Sequence, residues 1–206
     1  MCSDRGLHRV LTIVTLLFYV QAAAEPPTER KSHFRDGAGN RPNEQLLAAA
    51  PEGWLQTYFK QTTRLRIVEF VPAHESRDWR NKVRFEAFTA RILPDPIEFM
   101  QGLAHDQAQG CKHFSDGGIS AGFENGYATS TRLFVCENHP ADRHDQITMV
   151  KSIRGNERFY VIARARRGEA IAGGPGTALQ TDIASWALYL RAIHLCEASS
   201  DAHPCP

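Results

Sequence analysis

The chain is 206 residues long, 42% hydrophobic and 23% charged, with 24 lysines and arginines against 23 aspartates and glutamates. A balance this close excludes the basic excess that nucleic-acid binders and polybasic membrane-surface proteins carry. The length suits one domain with a sizeable core.

The N-terminus has the layout of an export signal. Arg5 and Arg9 precede an uncharged, mostly apolar run from Val10 to Val20, and Ala22-Ala23-Ala24 puts small residues at the −3 and −1 positions of a cleavage site. A membrane-spanning helix needs about 20 apolar residues, and this run is too short for one. Residues 1–24 are therefore expected to be a signal peptide, and no later stretch offers a stable membrane anchor. Cleavage removes Arg5, Arg9 and Asp4, which leaves equal numbers of basic and acidic residues. The protein is expected to be periplasmic or secreted.

Residues 25–43 contain Pro, Arg, Gly and Asn with Phe34 as the one large hydrophobe. Such a segment buries too little surface to offset its ordering entropy, so it reads as a disordered tether ahead of a domain spanning 44–206. Gln45–Ala50 suggests one or two helical turns. Trp54–Lys60 and Leu65–Val71 alternate as strands, and Pro72 ends the second because it has no N–H for a ladder. His74–Asn81 reads as a short turn whose Trp79 covers a core edge, and Val83–Ile92 resumes a strand pattern. Asp95 at the N-cap, Pro96 at N1 and Glu98 at N3 start a helix, with Ile97, Met100, Ala104 and Ala108 at helical spacing and Gly110 to close it.

The organising block runs from Gly122 to Arg167. Glu124-Asn125-Gly126 supplies a tight turn, and the runs Tyr127–Cys136, Gln146–Arg154 and Arg158–Arg166 follow, the last two joined through Gly155-Asn156. Gly and Asn tolerate positive φ, so this pattern predicts an antiparallel meander. Ala170–Gly176 is Gly-rich but lacks the Lys-Ser/Thr ending of a phosphate-binding loop, and reads as a connector. Thr177 and Gln180 form a second capping-box pattern before Leu179, Ile183, Trp186, Leu190 and Ile193, the apolar stripe of a helix lying on a sheet. Strands in antiparallel runs with two helices give the α+β class: one antiparallel sheet with helices packed on it, in a single domain.

Four cysteines remain after residue 24. An even number in an exported chain reads as two disulfides, here Cys111–Cys136, joining helix end to strand end, and Cys196–Cys205, holding the tail against the end of the last helix. The competing reading is a zinc site from Cys111, His113, Cys136 and His139, but the spacing is loose and an oxidising compartment favours bridges. No cofactor is expected.

The landmarks Glu69-Phe70-Val71-Pro72, Trp79, Glu124-Asn125-Gly126-Tyr127, Cys136, Lys151, Gly155-Asn156, Phe159-Tyr160-Val161 and His203-Pro204-Cys205-Pro206 resemble those of an uncharacterised family of secreted bacterial proteins, from about Gly53 onward. The resemblance implies no catalytic residue. The strand order is similar to the PsbP-like α/β/α sandwich, an analogy of fold that does not give function.

Candidate chemistry is sparse. Gly118-Ile119-Ser120-Ala121-Gly122 matches the G-x-S-x-G elbow, which requires a strand into the serine and a helix out of it; here a turn and a strand follow, so Ser120 reads as a turn serine. The loop His139–Asp145 holds two imidazoles and two carboxylates, and such loops are ordinarily solvated connectors. His194 is placed on the last helix. Lys151 shares a face with Ile147, Met149 and Ile153, which favours a stem snorkelling at a sheet edge over a buried amine with a partner. An amine facing a cleft is the functional alternative. Arg164 and Arg166, with Arg158 and Arg167, form a basic strand end that is either solvated or a docking surface. Lys151, Arg164 and Arg166 are thus the candidate binding residues. The chain reads as an exported, disulfide-stapled binding or envelope-accessory protein, whose partner is a protein or small molecule of the cell envelope. A small hydrolase using Ser120 or the His139–Asp145 loop is the alternative. Intact-mass measurement of the exported protein is expected to show a chain beginning at Glu25; retention of residues 1–24 would overturn the signal-peptide reading.

Overall fold

The computed structural model describes residues 43–139, 143–168 and 177–206, without the side chains of 177–181. The signal-peptide stretch, the tether up to residue 42 and the Ala170–Gly176 connector lie outside the described residues. Seven strands form one antiparallel sheet: β2 (Trp54–Gln61), β3 (Leu65–Pro72), β4 (Asn81–Phe88), β5 (His113–Glu124), β6 (Tyr127–Glu137), β7 (Asp145–Arg154) and β8 (Phe159–Gly168), in the order β2-β3-β4-β8-β7-β6-β5. From β4 the chain crosses through helix α1 (Pro96–Gly110) to the far edge, then returns strand by strand until β8 pairs with β4. Helix α2 (Thr177–Arg191) follows, and β9 (His194–Glu197) pairs with β1 (Glu44–Leu47) as a separate two-stranded ladder.

Period-two alternation gives the sheet two unlike faces. On one, Val83 and Phe85 from β4, Tyr160 and Ile162 from β8, and Ile147, Met149 and Ile153 from β7 pack with Trp186, Leu190 and Ile193, and the β1–β9 ladder adds Leu46 and Leu195. On the other, α1 sets Met100 and Ala104 against Phe134 and Val150. Asp95 caps α1 by accepting from the Ile97 and Glu98 amides at 2.8 and 3.3 Å, as its position in the sequence predicts. The buried face of α1 is narrower than expected, since Ile97 and Ala108 are exposed. Ser130 Oγ donates to the Pro96 carbonyl at 2.8 Å and lies 2.8 Å from Ser152 Oγ, tying the first turn of α1 to the sheet.

The meander and both bridges, Cys111–Cys136 and Cys196–Cys205, are as expected. Several local expectations change. Residues His113–Glu124 form a twelve-residue edge strand, so Ser120 lies in β5 opposite Thr131 and not in a turn. Three glycines and a mostly exposed surface leave that strand without the alternation that announces one. Gln45–Ala50 is no helix: Gln45 pairs with Cys196 in a ladder. The last helix ends at Arg191, which puts His194 and Cys196 in β9, and β4 stops at Phe88, short of Ile92.

One end of the molecule is a knot of turns. Asn125 and Gly126 both have positive φ, 48° and 79°, the pairing that a tight hairpin requires. Onto this turn folds the tail: His203 stacks on Tyr127 at 4.1 Å and its Nδ1–H donates to the Asn125 carbonyl at 2.8 Å. Asn125 Nδ2 donates in turn to the carbonyls of Leu195 and Pro204 at 2.9 and 3.1 Å. A Cβ on Gly126 would lie 2.6 Å from His203 Nδ1, so glycine is needed for space as well as for φ. Nearby, the Glu44 carboxylate accepts from the amides of Asn156 and Glu157 and holds the β7–β8 turn.

Lys151 is the correction with the widest consequence. It is 1% exposed, on an interior strand, and does not snorkel. Its Nζ donates to Glu124 at 2.5 Å and to the carbonyls of Leu190 and Ile193 at 2.9 and 2.8 Å. Burial pushes its pKa below the usual lysine value, and Glu124 pulls it back. Lys151→Met keeps the stem and removes the donors, taking from Glu124 its ion pair and from the Leu190 and Ile193 carbonyls their bond to the ammonium; urea unfolding should show a loss of about 3–5 kcal/mol. A loss under about 1 kcal/mol would mean that the packing of the stem, not the ammonium, matters here.

Candidate functional site

Helix α1 lies over β5, β6 and β7 and leaves the same face of β4 and β8 open beside it. The result is a groove of about 420 Å³. Its floor follows from the register. Ala163 sits between Arg84 and Val150, and Ala165 between Lys82 and Thr148, so two short side chains run down the middle with longer ones on both sides. Phe99, Leu103 and Gln107, four residues apart on α1, form the wall.

The groove changes character along its length. At one end the Phe99 ring packs at a tilt on Phe159, centroids 4.9 Å apart, near Val161. At the other lie Lys82, Gln107, Gln146 and Thr148, with Gln146 Nε2 donating to Thr148 Oγ1 at 2.8 Å. Arg84, midway on the open side, is fully engaged: its Nε and Nη2 donate to Glu86 at 3.2 and 2.7 Å, and its Nη1 to Glu69 at 3.1 Å. These bonds raise its pKa against the opposing cost of burial. Lys82 is 3.6 Å from Glu69 and 4.2 Å from the Trp79 ring centroid. Burial lowers its pKa; Arg84 and Arg167 add to that and Glu69 opposes it.

The residues singled out from the sequence meet elsewhere. Lys151, Arg164 and Arg166 all point from the sheet toward α2 and grip it at successive turns. Arg166 pairs with Asp182. The Arg164 guanidinium lies over Trp54 at 4.1 Å, with the Trp186 and Tyr189 rings at 5.7 and 5.9 Å. Its Nη1 is buried without a hydrogen-bond partner among the described residues. Lys151 takes the helix end. These cations, on β7 and β8, thus bind the protein's own helix, which gives them a structural task.

The remaining candidates separate. Ser120 is exposed in edge strand β5, with a turn and β6 after it, so the strand-to-helix elbow is absent. Of the His139–Asp145 loop, residues 140–142 lie outside the described residues; His139 and His144 face each other through the backbone, and Asp145 accepts from the Asn138 amide at 3.0 Å. The zinc reading loses its sulfur ligands, since Cys111 and Cys136 are bonded to each other, and among the described residues no three His, Cys, Asp or Glu side chains group to hold a metal. No helix among the described residues is long and apolar enough to cross a membrane.

The groove was missed because its signal is a lack of bulk. Ala163 and Ala165 share one face of β8, and β4 carries Lys82, Arg84 and Glu86 opposite its buried Val83, Phe85 and Ala87. A charged row on a strand with so apolar a reverse face was the available hint that one side of a central strand stays uncovered.

No family model and no curated protein matches the chain. Among solved structures, a point mutant of protein Mog1 is similar at a TM-score of 0.50 and 12% identity, over 72% of this chain and 89% of that one. The Ran-binding protein Mog1p of Saccharomyces cerevisiae gives 0.45 at 14% identity, over 72% and 89%. Cyanobacterial PsbP (CyanoP) of Synechocystis sp. PCC 6803 gives 0.49 at 12%, over 77% and 89%. At such identities the likeness to Mog1 is one of fold alone: an antiparallel sheet with a helix on each face.

Proposed function

We propose that this is an exported binding protein whose groove between α1 and the open half of the sheet holds a small, largely apolar molecule. One observation carries the reading: a cavity of about 420 Å³ floored by Ala163 and Ala165. That volume lies in the usual range for small-molecule sites, about 300–1,000 Å³, which are mostly apolar with a few convergent polar groups. The lining fits that description, with Phe99, Leu103, Val150 and Val161 for the body and Gln107, Gln146 and Thr148 at one end. Two disulfides support a working place outside the cytoplasm, periplasmic or secreted, as does the leader pattern of residues 1–24. Binding suits the site better than catalysis, because the polar groups described at the groove are amides, a hydroxyl, the paired Arg84 and Glu86, and a lysine, an arrangement that holds a ligand without joining a nucleophile to a base.

The test is to fill the floor. N-phenyl-1-naphthylamine, an uncharged apolar dye, should fluoresce with the wild-type protein and lose at least about tenfold in affinity with Ala163→Leu, which projects into the groove. Leu188→Ala, on the exposed outer surface of α2, should bind the dye as the wild type does. Undiminished binding by an Ala163→Leu protein of normal thermal stability, or no binding by the wild type, would overturn the proposal.

A further inference from the structure

We infer that the molecule held in this groove is a monocarboxylic acid with an apolar tail, its head on Lys82 and its tail running toward Phe99. The inference rests on the groove being a binding site and adds the chemistry of what it takes. The first argument is the gradient along the floor. Lys82 and Thr148 flank Ala165 at one end, while Glu86 is opposite Val161 at the other, where the Phe99 and Phe159 rings pack together. Helix α1 has the same polarity: Cys111, just past its end, is bonded to Cys136, whose neighbour across the ladder is Gln146, so Gln107 lies at the Lys82 end. A molecule with one polar and one apolar end matches this layout in a single orientation.

The second argument is hydrogen-bonding capacity. Lys82 is the lysine at the polar end, its side chain is only 21% exposed, and its ammonium has one carboxylate beside it, Glu69, at a long 3.6 Å. Its contacts are an ion pair at 3.6 Å and the face of Trp79. The other charges around it are engaged. Glu69 accepts from Arg84, Glu86 accepts from the same guanidinium, and Arg167 donates to Asp78 and to the Trp79 carbonyl, both at 2.5 Å. An incoming carboxylate would give the Lys82 ammonium a charge-assisted partner in a partly dehydrated site. A single negative charge is the match, because Glu69, 3.6 Å from the ammonium, would repel the second charge of a phosphate.

Octanoate, octanamide and octylamine share a tail and differ at the head, and each can be titrated into the full-length exported protein while backbone amide shifts are followed by NMR. All tail contacts should register on β8 between Val161 and Ala165. Octanoate should bind about tenfold more tightly than octanamide, and octylamine most weakly. Lys82→Gln should erase the preference for octanoate, and Lys82→Arg should keep it. Equal affinity for octanoate and octanamide at those residues, or a preference that survives Lys82→Gln, overturns the carboxylate assignment and leaves the groove standing. No shifts there with any of the three overturns both.

Discussion

The fold depends on a buried ammonium. Lys151 stands in the middle of a face otherwise built from Ile147, Met149 and Ile153, and taking its charge out of water costs several kcal/mol unless every donor finds an acceptor. Each partner comes from a different part of the chain: Glu124 from the β5–β6 hairpin, Leu190 from the last turn of α2 and Ile193 from the step into β9. A cation is favoured at a helix C-terminus, and the Leu190 carbonyl takes the ammonium as a second donor beside the Ile193 amide. Satisfying Lys151 fixes where α2 ends, and that sets where β9 begins and which residues it offers to β1. Arg164 and Arg166 extend the same attachment toward the start of the helix.

The two faces are covered unequally. On the α2 face the helix is joined by the β1–β9 ladder, and together they cover the apolar rows of β3, β4, β7 and β8. On the other face α1 is alone among the described residues, and a helix is only about 10 Å across, so it cannot cover seven strands. The strands it leaves open have to be wettable. β4 solves this with Lys82, Arg84 and Glu86, tied to Glu69 of β3 in one network. β8, lying between that network and α1, is too near the helix for long side chains and carries Ala163 and Ala165. The groove is thus what remains when one helix meets a wide sheet.

Elements whose residues interact locally or alternate cleanly were legible in the sequence: the α1 cap at Asp95, the Gly155-Asn156 hairpin, the stripe of α2 and both cysteine pairs. Those defined by a distant partner were not. Glu44–Leu47 is a strand only because His194–Glu197 lies beside it, and each alone is too short to show a period. β5 hides behind its glycines. Lys151 was placed on the correct face, but its burial depends on carbonyls some forty residues further along the chain, which periodicity cannot supply. The landmark motifs likewise become intelligible only in three dimensions. Glu124-Asn125-Gly126-Tyr127, Lys151, Gly155-Asn156 and His203-Pro204-Cys205 belong to one packed end of the molecule and hold one another, away from the groove.

The ladder that joins Glu44 to Glu197 sets a limit on the order in which the chain can fold. The seven-stranded sheet can assemble from hairpins between near neighbours once β8 reaches β4. The two-stranded ladder cannot, because its partners are the first and last strands described, and closing so long a loop is an entropic cost met only after the sheet exists. The His203 stack joins the tail after β9 to Tyr127 of the sheet, so it too waits on the sheet. The parts that close the structure are therefore the last to form.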